Sequence, residues 1–182
     1  YKSEQFEYLK DLFGVKLVHN PDYLTRNNNA SIYVVKDYLK NTYVCSADNY
    51  FNSNPFEEYV ESSYYSAIYG EGETKEWCLT YDQDDYITDV KVGGSNSWFM
   101  LGHTFWDENF SKEFVRILEE IYDDEKTYDL LWESIYMEHM DTLKMKIRKY
   151  DYDVIFEFDT LGELRVFHQS YINDTCSAIL KD

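Results

Sequence analysis

The first third of the chain alternates between helical and extended hydrophobic patterns. Apolar residues three or four positions apart predict helices, and short runs rich in β-branched residues predict strands. Gly14 favours a helix end, and Asn20-Pro21 breaks the extended run that follows it. The predicted elements are, in order, a helix at 3–13, a strand at 15–18, a helix at 30–39 and a strand at 43–47. This order predicts parallel strands joined by right-handed crossovers.

In the middle third, apolar and polar residues alternate as they do in strands with one buried face. The polar run at 82–85 has the composition of a turn between two such strands, so we expect an antiparallel insertion. Gly93-Gly94 is expected to end its second strand. The extended segments are residues 65–69, 77–81 and 87–92, with a further buried strand at 98–106.

The last third returns to helices. A strongly amphipathic helix is predicted at 110–121 and another at 128–140, followed by an edge strand near 145–147 with exposed lysines. A strand at 154–158 then meets the capping box Thr160-Leu161-Gly162-Glu163, which opens a helix reaching Tyr171. Together these elements predict an α/β fold of three-layer, Rossmann-like type: a mixed sheet with an antiparallel insertion, in a single domain over residues 1–182.

Charge narrows the classes of partner. The 182 residues carry a formal charge of −18, which excludes a nucleic-acid backbone or an anionic membrane as the expected partner, because both require a basic surface. Aromatic residues make up 19% of the chain, more than core packing usually requires. The three cysteines, Cys45, Cys78 and Cys176, lack metal-type spacing and fit free thiols in a cytoplasmic protein.

Two carboxylates stand where strands end. Asp48 follows the strand at 43–47, and Asp159 closes the strand at 154–158. In open α/β sheets ligands bind at such strand ends, although a single Asp there more often only caps a turn. As a pair they could share Mg²⁺, which takes few protein carboxylates and completes its shell with water and phosphate oxygens. The sequence therefore predicts a nucleotide–metal site.

Several short stretches, taken in order, resemble one known family. They are residues 4–9, 27–33, 46–50, 76–77, 105–107, 129–132 and 156–160. In this order and spacing they are similar to bacterial CTP:phosphocholine cytidylyltransferases. The resemblance implies a nucleotidyltransferase fold, Mg²⁺, and transfer of CMP from CTP to phosphocholine to give CDP-choline. It also implies that Asp48 and Asp159 ligate the metal and that Asn28 and Asn29 lie near the nucleotide.

The chain departs from that family at its beginning. Family members open with a strand and a Gly-rich loop that cradles the triphosphate, and none of the seven glycines here forms such a loop. We therefore expect an N-terminally truncated fragment, a partial nucleotidyltransferase domain that makes no CDP-choline alone. Strand edges left without partners are expected to lead either to self-association through strand pairing or to displacement of the segment from Tyr1 to about Asn20 from its family position.

The resemblance also suggests how choline would be recognised. A trimethylammonium group donates no hydrogen bonds and binds instead to the faces of aromatic rings. The resemblance favours three tryptophans for this role: Trp77, Trp106 and Trp132. Nearby carboxylates could add negative charge: Asp107, Asp129 and Glu133. Leu131 stands where the family has a Tyr, and Tyr128 is the candidate substitute. The ordinary alternative is that each Trp is a core residue, which we expect of Trp98.

Other functions stay open at this point. A sugar-phosphate nucleotidyltransferase, or a related metal-dependent glycosyltransferase, would share the fold and the paired carboxylates. A catalytically inactive module that binds choline-like cations would keep the aromatic residues without a phosphate loop. Sugar sites favour hydrogen-bonding side chains over tryptophans, which separates the first alternative from a choline enzyme.

Overall fold

The computed structural model describes residues 3–172, so Cys176 lies outside the described residues. Short 3₁₀ turns at 3–5, 36–38, 125–127 and 169–171 accompany the regular elements. The helices are α1 (Tyr8–Phe13), α2 (Asn29–Val34), α3 (Glu108–Ile121), α4 (Trp132–Glu138) and α5 (Leu161–Phe167). The strands are β1 (Thr42–Val44), β2 (Asn49–Phe51), β3 (Tyr64–Tyr81), β4 (Ile87–Trp106), β5 (Lys146–Tyr150) and β6 (Ile155–Glu157).

A long hairpin forms the centre of the sheet. The strands β3 and β4 pair antiparallel along most of their length, with β1 antiparallel to β4 and β5 parallel to β3, in the order β1-β4-β3-β5. The turn between them is held by the Asp82 carboxylate, which accepts the backbone N–H groups of Asp84 (3.0 Å) and Tyr86 (2.9 Å). A second sheet pairs β2 with β6 antiparallel. The predicted mixed α/β sheet with its antiparallel insertion is confirmed.

Three details of the prediction are wrong. Residues 15–18 form no strand, because none of the strands of residues 3–172 lies beside them to pair with their backbone groups. Gly93-Gly94 does not end a strand, since β4 continues through it with an irregular register to β3. Of the described strand pairs only β3–β5 is parallel, so the expected series of parallel crossovers is not found.

The core lies between the sheet and the helices α3 and α4. Phe114 of α3, Tyr136 of α4 and Trp106 at the end of β4 are fully buried within it. The amphipathic pattern at 110–121 correctly marked this contact, although α3 begins two residues earlier, at Glu108. The capping box at Thr160–Glu163 is also present, with both reciprocal hydrogen bonds formed. No helix in the described part of the chain is long and apolar enough to cross a membrane.

Asp107 starts α3 instead of contributing charge to a ligand site. Its carboxylate accepts the backbone N–H groups of Asn109 (2.9 Å) and Phe110 (3.0 Å), and also the Ser63 hydroxyl (2.7 Å). Burial raises the pKa of the Asp107 carboxyl, but these hydrogen bonds to the charged form outweigh burial and leave the pKa lowered. The suggested role near a bound cation is therefore not the one the structure gives this residue.

We expect Asp107→Ala to reduce the free energy of unfolding at pH 7 by about 1–2 kcal/mol, the usual loss for an N-cap. Because the folded-state pKa is depressed, the wild-type advantage is present above the ordinary value of 3.8 and is lost as the pH falls through the lowered pKa. Urea unfolding of the wild type and of Asp107→Ala between neutral and acid pH measures the difference in their free energies of unfolding. Asp123→Ala, an exposed position just beyond the same helix, is the control. A constant difference down to strongly acid pH would contradict the assignment.

Candidate functional site

A cavity of about 210 Å³ opens where α2, the end of β1, the central hairpin and the start of α4 meet. Both polar and aromatic side chains reach it. Its lining residues are Asn28, Ser31, Ile32, Val44, Cys45, Ser46, Tyr65, Gly102, Thr104, Trp132 and Glu133. Two of the residues predicted for the site, Asn28 and Trp132, are therefore brought together here.

Glu133 is the charged group of this cavity. Its carboxylate accepts a hydrogen bond from Asn28 Nδ2 (3.1 Å) and a longer one from the Tyr65 hydroxyl (3.5 Å). Burial raises the pKa of Glu133, and burial, followed by the charge of Glu133, raises that of Tyr65. A desolvated carboxylate with no cationic side chain among its hydrogen-bond partners provides a favourable position for a positively charged ligand.

The aromatic wall of the cavity is smaller than the predicted cage. Trp132 stacks on Tyr65, with ring centroids 5.8 Å apart and planes 14° apart. Trp106 packs behind Trp132 at 5.0 Å and is 0% exposed, so it belongs to the core and does not line the cavity. Trp77 lies half-buried in β3, opposite Val92, and packs on the edge of the core. Of the three tryptophans, only Trp132 lines this cavity.

Three consecutive asparagines hold this wall in place; we call Asn27, Asn28 and Asn29 the asparagine clamp. Asn28 Oδ1 accepts the backbone N–H of Trp132 (2.7 Å) while its amide nitrogen bonds to Glu133. Asn29 is fully buried, and its Nδ2 donates to the carbonyls of Thr127 (3.0 Å) and Leu130. Asn29 thus positions the loop before α4, whereas Asn28 also faces the cavity.

The two other predicted residues of this region contact the clamp instead of the cavity. The Tyr128 carbonyl accepts the backbone N–H of Asn27 (2.7 Å), and the Arg26 guanidinium lies 4.3 Å from the Tyr128 ring centroid. Asp129 is exposed, and its carbonyl accepts from Asn27 Nδ2 (3.2 Å). Neither lines the cavity, so the proposed substitution of Tyr128 for the family tyrosine is not seen in this structure.

Asp48 and Asp159 meet at one end of the β2–β6 ribbon. The Asp48 carbonyl accepts the backbone N–H of Phe158 (3.1 Å), which places Asp48 beside the residue preceding Asp159. Glu157 joins them: burial, then the charges of Asp48 and Asp159, raise its pKa. The ribbon lies next to the cavity, because Gly102 lines the cavity and a Cβ added to it would lie 2.8 Å from Ile155 Cγ2 of β6. The prediction placed Asp48 at the end of a strand at 43–47, but β1 ends at Val44 and Asp48 directly precedes β2, which pairs antiparallel with β6. The shared metal role of Asp48 and Asp159 stays a prediction.

Gly102 brings the ribbon close to the cavity. Its φ of +98° lies in the region that favours glycine, and an added Cβ would lie 2.8 Å from Ile155 Cγ2 and 2.9 Å from Ser66 Oγ. A side chain here would push β6, and with it Glu157 and Asp159, away from β4. The close approach of β4 and β6 at this point therefore depends on a glycine.

The donors at this end fit Mg²⁺. Asp48 and Asp159 are exposed oxygen donors. Within residues 3–172 no three His, Cys, Asp or Glu side chains are arranged to hold a metal by themselves. Mg²⁺ binds through one or two carboxylates and obtains its other ligands from phosphates and water, so its requirement from the protein is small.

Two members of the site were not selected as site residues from the sequence. In the sequence pattern Tyr65 is only part of an alternating strand, and Glu157 lies in the stretch 156–160 that resembles the family but receives no role there. The signal for Glu157 was available, because it lies two positions before Asp159 in a strand predicted to end at the site. Tyr65 carried no such signal, since β3 reaches the cavity only through its pairing with β4.

Comparison with known proteins identifies the class. The choline-phosphate cytidylyltransferase of Streptococcus pneumoniae is 32% identical over 174 residues, covering 96% of this chain and 76% of the relative. The 2-aminoethylphosphonate cytidylyltransferase of Lancefieldella rimae is 29% identical, covering 94% of this chain and 72% of the relative. No protein-family model matches the sequence.

Solved structures agree. The structure of CTP:phosphocholine cytidylyltransferase from Streptococcus pneumoniae has a TM-score of 0.87 at 32% identity, covering 93% of this chain and 75% of that one. The inositol-1-phosphate CTP transferase of T. maritima, at 16% identity and a TM-score of 0.64, covers 94% of this chain and 70% of that chain and shows a shared fold. Fold and relatives together define a nucleotidyltransferase. The chain belongs to the choline-phosphate cytidylyltransferase family.

We expect Glu133→Gln to raise the free energy of unfolding of the ligand-free protein at pH 7. Because the folded-state pKa of Glu133 is raised, wild-type stability falls as the pH rises above its ordinary value of 4.5, and the neutral amide removes that loss. The amide can still accept from Asn28 and donate to the Tyr65 oxygen. Thermal unfolding of the wild type and of Glu133→Gln, measured from below pH 4.5 up to pH 7, tests this expectation. Glu138→Gln on the same helix is the control. A destabilised variant with an unchanged pH profile would refute the assignment.

Proposed function

We propose that this protein transfers CMP from CTP to phosphocholine, giving CDP-choline and pyrophosphate. A phosphate oxygen of phosphocholine would attack the α-phosphorus of CTP as the bond to pyrophosphate breaks and its electron pair leaves with pyrophosphate. No covalent intermediate on the protein is needed. The observation that carries the proposal is the cavity in which Glu133 and the Trp132 ring lie together, bordered at Gly102 by β6, the strand that leads to Asp159.

The cavity has the chemistry of a quaternary ammonium site. The Glu133 carboxylate offers negative charge, while its two oxygens already accept from Asn28 and Tyr65. A primary ammonium would compete for those acceptors, whereas a trimethylammonium requires only charge and an aromatic face. This favours phosphocholine over 2-aminoethylphosphonate, the substrate named for the relative from Lancefieldella rimae. It also disfavours a sugar phosphate, which needs free hydrogen-bonding groups.

Asp48 and Asp159 would hold Mg²⁺ next to this cavity. The ion would neutralise the charge of the triphosphate in a protein whose own charge is −18. By holding the ion, the two carboxylates would determine where the phosphates of CTP lie relative to the acceptor phosphate in the cavity. Glu157, in the strand between them, adds to the local negative potential.

The cellular compartment and the self-association of the protein are predictions from the sequence. The cysteine pattern favours the cytoplasm, and sedimentation velocity would test for self-association. In the structure β1 has only three residues, and β5 carries Lys146, Arg148 and Lys149, a composition that opposes pairing with another edge.

The alternative of an inactive choline-binding module predicts choline binding without turnover under any condition.

Calorimetry with competing acceptors tests the choice of substrate. We expect phosphocholine to bind at least about tenfold more tightly than 2-aminoethylphosphonate, and Glu133→Gln to remove most of the phosphocholine affinity. Trp132→Phe should retain more affinity than Trp132→Ala, because Phe keeps an aromatic face. Glu138→Gln on the same helix is the matched control. Tighter binding of the primary amine would redirect the proposal to the aminoethylphosphonate reaction.

Measurements of turnover test the proposed metal-binding role of Asp48 and Asp159. In a form of the enzyme that makes CDP-choline, Asp48→Asn and Asp159→Asn should each lower kcat about 100-fold or more while leaving thermal stability unchanged or slightly higher. Asp153→Asn, an exposed Asp in the turn before β6, should have no effect. Product formation is followed by pyrophosphate release at limiting Mg²⁺. Near-normal turnover of either variant would remove that residue from the site.

A further inference from the structure

A second aromatic cavity, of about 450 Å³, lies where β3, β4 and the end of β5 come together. It shares no lining residue with the cavity at Glu133. Its lining residues are Tyr69, Glu71, Trp98, Tyr150, Asp151 and Tyr152. Four aromatic rings and two carboxylates thus surround one space, and the reaction proposed above uses none of them.

The aromatic walls come from separate strands. Tyr69 and Trp98 are cross-strand partners in the central hairpin, with ring centroids 5.5 Å apart and planes at 67°. Two rings at this angle form a corner that can present aromatic surface to a bound group from two directions. Tyr152, in the turn after β5, is 79% exposed, and Tyr69 is 44% exposed. Large aromatic side chains held this openly are available to a ligand.

The charges around this space are negative. Glu71 and Asp151 are both exposed, and no cationic side chain lines the cavity in the described structure. Lys149 Nζ lies 6.0 Å from the Trp98 ring centroid, but it is held at 2.9 Å by Asp85 and lies 4.1 Å from the Tyr81 ring centroid. Lys149 is therefore held most closely by Asp85 and Tyr81, and its contact with Trp98 is the longest of the three.

We propose that this cavity binds a methylated ammonium cation of the choline type, at a site separate from the catalytic candidate. A hard metal ion would require several converging oxygen ligands, whereas here most of the lining is ring surface. A weakly hydrated organic cation matches both features, because ring faces attract it and Glu71 and Asp151 add a favourable potential. This inference is independent of the proposed function, since no residue is shared between the two sites.

Choline and tetramethylammonium are the probes, and the indole N–H resonances of Trp98 and Trp132 report the two sites separately by NMR. Both probes should shift the Trp98 resonance in a saturable way. Tyr152→Ala should weaken that response about tenfold and leave the Trp132 response unchanged. Tyr59→Ala, at another highly exposed Tyr, is the matched control. Glu133→Gln should weaken only the Trp132 response.

A Trp98 resonance that does not move during the titration would overturn the proposal, as would an equal shift on adding NaCl at the same concentration. An undiminished Trp98 response in Tyr152→Ala would also overturn it, because the ring corner would then not be the binding element. Failure of the proposed function has a different signature: Trp132 would not respond to phosphocholine while Trp98 still responded to choline.

Discussion

The candidate site depends on the hydrogen bonds of the asparagine clamp. Asn27, Asn28 and Asn29 join the start of α2 to a segment about a hundred residues later in the chain, and each uses its side-chain amide for this. Asn29 is buried without access to water, so the loss of its two carbonyl partners would leave a desolvated amide. The orientation of Trp132 and Glu133 follows from this constraint, because both are bonded directly to Asn28.

The clamp also explains how a carboxylate can be kept in a partly desolvated cavity. Burial raises the pKa of Glu133, so desolvation opposes the charged form of its carboxyl group. At the neighbouring strand ends, the backbone pairing of β2 with β6 holds Asp48, Glu157 and Asp159 together against their mutual repulsion. Bound cations would relieve both situations. A strongly acidic protein thus places its uncompensated charge where a cationic substrate and a metal are expected.

The aromatic residues divide between two tasks. Trp106 packs against Phe110 and Phe114 of α3 with tilted rings, and its ring meets that of Trp132 edge-on. Trp132 and Tyr65 present the other side of the same aromatic layer to the cavity. One continuous layer therefore serves both stability and recognition, and a change in the core is expected to reach the site through Trp132.

Local patterns in the sequence were sufficient for several features. The amphipathic spacing marked α3, and the residues Thr160 and Glu163 marked the capping box. Each of these depends on contacts within a few residues. The short motifs, taken in order, also pointed to the family.

Tertiary structure alone decided which candidates reach the site. Trp106 and Trp132 have similar local sequence signals, yet one is enclosed by α3 and the other lines the cavity. The clamp partners and the approach of Tyr65 depend on contacts between distant parts of the chain, which periodicity does not encode. Residues 15–18 have the composition of a strand but form none, because a strand requires a neighbour for its backbone hydrogen bonds. Composition and spacing therefore predicted the local elements and the family, and tertiary packing determined which side chains line the cavity.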